Sequence, residues 1–169
     1  MAKILVVDDN AASIKSLQTI LSSSGYEIET ANEGMEALDK FLKQKPDLVI
    51  TDLEMPVMDG FALARLIRGD ISSAHIPILF ISSARNIASK IKAMETGGND
   101  FIPRPYNNDE LLYKVKAMLR TKELYDDLFI SRETLKRNEA ALKKKNRTTP
   151  DGDHRTQESR RTIKVKIHY

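Results

Sequence analysis

The sequence predicts an α/β fold: a doubly wound five-stranded parallel sheet with helices on both faces and a long C-terminal helix. Three observations carry this. Lys3–Val7 and Asp47–Asp52 are short, rich in β-branched residues and continuously apolar rather than alternating, as in strands covered on both faces. Strand-like and helix-like stretches alternate five times in about 120 residues, and right-handed crossovers leave few topologies for that pattern. Beyond residue 120 a helical pattern runs on without Gly or Pro to about Lys145.

Each element has a local reason. After Lys3–Val7, Ile14, Leu17 and Leu21 share one face of a helix spanning about 11–23, and Gly25 is placed to end it. Glu27–Ala31 alternates charged and apolar residues, as an edge strand does. Asn32 is placed to cap a second helix carrying Met35, Leu38, Phe41 and Leu42. Pro46 precedes the Asp52 strand, and a third helix covers about 61–68. Pro77–Ser82 reads as a fourth strand, and a fourth helix over about 87–96 ends at Gly97-Gly98. Asp100-Phe101-Ile102 begins a fifth strand, and the last helix starts near Asn107-Asn108-Asp109.

The expected organisation is a domain over 1–120, a helical extension over 121–145 and a disordered tail over 146–169. Leu128, Leu135 and Leu142 lie seven apart, with Leu124 four before Leu128; Ala117, Leu124, Ser131 and Asn138 form the companion line of this short heptad seam. Such a stripe suits either one exposed helix or a parallel coiled-coil homodimer. The tail is polar, with Pro150 and Gly152, and Ile163–Tyr169 alternates like a strand.

Composition bounds the function. A 41% hydrophobic fraction allows a real core, and no apolar run approaches the length of a membrane helix. Zero Cys removes disulfides and thiolate chemistry. With no signal-peptide pattern at the N-terminus, these features favour the cytoplasm. Residues 1–120 hold 14 basic and 16 acidic side chains, whereas 121–169 hold 13 basic and 8 acidic. The pI near 9.0 belongs to the tail and is no argument for nucleic-acid binding by the domain. His75, His154 and His168 show no ligand spacing and read as surface residues.

The chemistry lies in acids. Asp8 and Asp9 follow the first apolar run, and Asp52 closes the third strand. If these strands are neighbours, three carboxylates meet at the carboxyl edge of the sheet, where open α/β sheets bind ligands. Like charges held together repel unless a cation joins them. The economical reading is a divalent-metal site with one carboxylate poised for chemistry.

Val6-Val7-Asp8-Asp9-Asn10, the Asp52 strand, Met55-Pro56-Val57-Met58-Asp59-Gly60, Ser82-Ser83-Ala84 and an X-Pro pair after the fifth strand together resemble the receiver domain of two-component response regulators. The resemblance covers residues 1 to about 120. It implies the flavodoxin-like strand order 2-1-3-4-5 and phosphoryl transfer to Asp52 from a sensor histidine kinase or phosphotransfer protein. It further implies Mg²⁺ (or Mn²⁺) held by Asp8, Asp9, Asp52 and the Glu54 backbone carbonyl. Ser83 matches the hydroxyl that meets the phosphoryl group, and Phe101 the aromatic switch position. Arg104 stands where the family has Lys, before a cis proline, and Pro103 costs the fifth strand a donor. A phosphorylation switch with no output enzyme on this chain, acting on an unidentified target, is the leading expectation. The alternatives are the regulatory part of a larger enzyme, such as a diguanylate cyclase, and a binding module weakly phosphorylated because of Arg104.

Overall fold

The computed structural model describes residues 1–84 and 86–147. The strands are β1 (Lys3–Val7), β2 (Glu27–Ala31), β3 (Leu48–Asp52), β4 (Ile78–Ser82) and β5 (Asp100–Pro103). The helices are α1 (Ala11–Ser23), α2 (Gly34–Gln44), α3 (Gly60–Gly69), α4 (Ile87–Glu95) and α5 (Asn108–Arg147). A single 3₁₀ turn, Ile71–Ser73, which periodicity does not signal, is closed by Asp70. All strands pair in parallel in the order β2-β1-β3-β4-β5, as expected.

The sheet separates two cores, which is why its central strands turn apolar residues to both faces. Leu5, Val7, Val49, Ile78 and Phe80 pack with Phe41 of α2, Leu63 and Ile67 of α3 and Ala93 of α4. The alternate residues Ile4, Val6, Leu48, Ile50, Leu79 and Ile81 pack with Leu17 and Leu21 of α1 and with Leu111 and Val115 of α5. Period-two alternation in the strands meets the 3.6-residue period of the helices on both sides. Phe80 is fully buried, so truncation to Ala would cost about 3–5 kcal/mol.

Several local expectations need correction. Asn32 does not cap α2; Glu33 occupies the cap position without a side-chain bond, and the Asn32 amide donates to Glu36 Oε2 at 2.8 Å. The Glu36 carboxylate thus ties the residue before the cap position to the first turn, and no side chain caps the helix amides. Met35 and Leu42 are exposed, since α2 turns Ala37 and Phe41 inward. His75 is not an ordinary surface residue: its ring stacks on Tyr125 at 4.9 Å between centroids, and Nε2 lies 3.4 Å from Asp126. Gly25 has φ +87°, the left-handed geometry that ends α1. Helix α5 continues through Asn146 to Arg147. The rest of the expected tail, with His154, Arg160-Arg161, the Ile163–Tyr169 alternation and His168, lies outside the described residues.

The compact unit containing the sheet runs from Met1 to Asp127, so a boundary at 120 falls inside paired structure. Lys122 bonds Asp47 at 2.9 Å and Asp126 at 2.5 Å, and Asp47 also accepts the Lys3 amide at 2.8 Å. Burial pushes the Asp47 carboxyl up, but the Lys122 and Lys3 bonds outweigh it and hold it below the usual carboxylate range. Its contribution to stability is present above the unfolded value of about 3.9 and fades as pH falls through the depressed folded value. Lys122→Met is expected to cost about 1–2 kcal/mol in urea unfolding at pH 7 and to flatten the loss of stability in acid. An unchanged acid profile would place the stabilisation elsewhere.

Both sheet edges carry distinctive chemistry. On β2, Glu27 and Glu29 pair with Lys3 and Lys40. On β5, the Arg104 amide donates inward to the Ser82 carbonyl, while the Phe101 amide donates to Asp100 Oδ1. Pro103 has no amide hydrogen, a substitution that an edge strand tolerates.

Candidate phosphoacceptor and metal site

Register builds the site. Strands β1 and β3 pair Ile4 with Leu48 through Val7 with Thr51, so the next step sets Asp8 beside Asp52. Asp9 follows, and carboxylate oxygens of Asp8, Asp9 and Asp52 lie within 4.8 Å of one another. Asn10 holds the chain in place by capping α1, its Oδ1 accepting from the Ala12 and Ser13 amides. Asp8 is almost fully buried, Asp9 exposed and Asp52 between them. A graded row of hard oxygens at the mouth of a sheet edge suits a small divalent cation that keeps several waters.

Each inner acid has one oxygen anchored and one presented. Asp8 Oδ1 accepts the Asn10 amide at 2.8 Å, and Asp52 Oδ1 accepts the Leu53 amide at 2.7 Å. Both Oδ2 atoms meet Arg104, at 2.5 Å from Nη2 to Asp8 and 3.3 Å from Nη1 to Asp52. Arg104 therefore points into the pocket rather than to solvent, and the Arg104–Pro105 peptide is cis, as the resemblance implied. Burial raises the Asp52 carboxyl above its usual range; Arg104 pulls it down and Asp8 pushes it up.

Other expected residues sit around this centre. Phe101 is buried beside Phe80, its partner in the β4–β5 register. Ser83 follows the end of β4 and is exposed, whereas Ser82 is the last residue of the strand, buried, with Oγ accepting from the Ala84 amide. Two adjacent hydroxyls thus stand at the end of β4, and the Ser82 backbone is bonded directly to that of Arg104. Glu54 is exposed just past Asp52. Residue reading passed over Gly60 as a member of a loop motif. A β-carbon there would stand 2.1 Å from the Asp52 carbonyl oxygen, so α3 begins against the backbone of the central acid. A glycine soon after an acidic strand end was the available signal.

With this geometry established, the sequence matches the response regulator receiver domain over residues 4–116. The chain belongs to that family. The receiver is similar to Response regulator MprA of Mycobacterium ulcerans (strain Agy99), 35% identical over 125 residues that cover 74% of this chain and 53% of MprA. It is equally similar to Response regulator PleD of Caulobacter vibrioides (strain NA1000 / CB15N), 35% identical over 127 residues that cover 75% of this chain and 28% of PleD. Among solved structures, the chemotaxis protein CheY4 of Vibrio cholerae superposes with a TM-score of 0.67 at 33% identity, covering 70% of this chain and 98% of that one. The receiver chain spans about half the length of MprA and less of PleD. No helix among the described residues is long and apolar enough to cross a membrane.

Proposed function

We propose that Asp52 accepts a phosphoryl group from a phosphohistidine on a sensor histidine kinase or phosphotransfer protein in the cytoplasm. The observation that carries this is the anchored Asp52 carboxylate, which keeps one oxygen on the Leu53 amide and presents the other to the pocket. That oxygen attacks phosphorus, the N–P bond breaks, the imidazole keeps the electron pair and Asp52 becomes an acyl phosphate. Such transfers depend mainly on positioning and neutralised charge. Asp8, Asp9, Asp52 and the Glu54 carbonyl would hold Mg²⁺ or Mn²⁺, which supplies charge neutralisation at the phosphoryl oxygens. A hydroxyl of the Ser82-Ser83 pair, Ser83 by the motif resemblance, would then meet the phosphoryl group, and Phe101 would couple that movement to the α4–β5–α5 face. Ile87, Ile91 and Tyr113 are exposed on α4 and α5, giving that face apolar material for a downstream target.

Incubation with acetyl phosphate and Mg²⁺ is expected to add one phosphoryl group by intact mass. Borohydride trapping should convert residue 52 to homoserine. An adduct trapped at any other residue, or none with Mg²⁺ present, would falsify the assignment.

The output is a change in association with a second copy of this chain. Leu124, Leu128, Leu135 and Leu142 are each 61–68% exposed along α5. Their spacing matches a heptad seam. Asp127 and Arg132 flank it five residues apart, so in a parallel pair each faces its opposite charge on the partner. Leu128→Glu with Leu135→Glu is expected to shift the species seen by light scattering from dimer to monomer while leaving the acetyl phosphate adduct intact. A wild-type chain that stays monomeric at high concentration, phosphorylated or not, sinks this part of the reading.

A further inference from the structure

We infer that Arg104 is a built-in competitor for the metal: its guanidinium holds the same two carboxylate oxygens that a divalent cation must take. This rests on the metal reading above and concerns what that reading costs in this chain. Asp8 Oδ1 and Asp52 Oδ1 each accept a backbone amide, and the two Oδ2 atoms are the oxygens turned to Arg104. One guanidinium spans both. Each terminal nitrogen of the planar fork reaches one of the two acids, so the group is held by both at once.

Asp8 is nearly inaccessible to water, with 1% of its side chain exposed, so its charge is balanced from within. Charge-assisted bonds to a buried carboxylate are strong, and the guanidinium does not deprotonate to release them. Cation entry is therefore an exchange. The guanidinium must leave Asp8 and Asp52 as the dication arrives, and the affinity measured is the difference between two favourable states. Asp9 is exposed and joins the cluster from outside, so its part in binding adds to the incoming ion without displacing the resident one. By linkage, whatever accepts the released guanidinium also favours metal entry, and an oxyanion bound at the same mouth is the chemical class that fits it.

The test is Mn²⁺ binding to the full chain, followed by the loss of the free-ion electron paramagnetic resonance signal, with Mg²⁺ competition. Wild type, Arg104→Gln and Arg104→Lys are compared at neutral pH, with urea unfolding as the fold control. Arg104→Gln is expected to bind the ion at least about tenfold more tightly than wild type, with Arg104→Lys between them. Adding Asp9→Asn should weaken binding in wild type and Arg104→Gln by a similar factor. Equal or weaker binding by Arg104→Gln overturns the inference and leaves the acid site standing. Binding by none of the three overturns the metal site itself, and the inference with it.

Discussion

Asp52→Asn is expected to take up no phosphoryl group from acetyl phosphate, yet to withstand more urea than wild type at pH 7 in the absence of divalent metal. The two results have one cause. The amide has no nucleophilic oxygen, so the adduct disappears entirely. Burial raises the Asp52 carboxyl above its usual range, a push that Asp8 reinforces and Arg104 opposes. The folded chain thus binds this proton more tightly than the unfolded chain, and ionising the group costs stability. The cost is absent below the unfolded value of about 3.9 and complete above the raised folded value. The advantage of Asn should therefore be present at pH 7 and shrink as the medium is acidified. Saturating Mg²⁺ should reverse the order, because the charged carboxylate gains more from a bound cation than the neutral amide does. Unfolding midpoints at pH 7 and in acid, with and without Mg²⁺, check each sign. An Asn chain less stable than wild type under metal-free neutral conditions would show that Arg104 outweighs burial.

Gly60→Ala is expected to lower both stability and the rate of phosphorylation, although Gly60 touches no substrate. The added carbon would meet the Asp52 carbonyl oxygen at 2.1 Å and the Leu53 α-carbon at 3.1 Å, all backbone that cannot rotate away. Overpacking of this kind costs about 1–3 kcal/mol. A displacement of Asp52 by about an ångström would slow transfer roughly 100-fold. Gly69→Ala is the control, since nothing lies within 4 Å of its added carbon. It should leave the phosphorylation rate as it is. Equal rates for both variants would show that α3 does not hold Asp52 in position.

Much of this was legible because it is periodic or local. Lys3–Val7 and Leu48–Asp52 announce a buried parallel sheet by lacking alternation, and an acid at the end of each reports the sheet edge. What escaped depends on distance along the chain. Arg104 and Asp8 are 96 residues apart, so their ion pair leaves no local trace, and only the resemblance turned Arg104 toward the acids. His75 and Tyr125 are likewise far apart in the chain, and the helical pattern expected over 121–145 does not say which residue α5 stacks on. The Asn32 cap failed for a different reason. Helix α2 takes Glu33 rather than Asn32 as its cap residue, and Glu36 accepts the Asn32 amide.

Neither rim of the sheet invites a further strand. The outward amides of β5 are already spoken for: Phe101 gives its hydrogen to Asp100, and Pro103 has none to give. On the opposite rim, an incoming backbone would have to lie across Glu27 and Glu29 with their lysines. Natural sheets use such devices against edge-to-edge aggregation. The consequence is that backbone contact between copies is discouraged at both rims, so the association proposed above would fall to side chains, where it can be reversible.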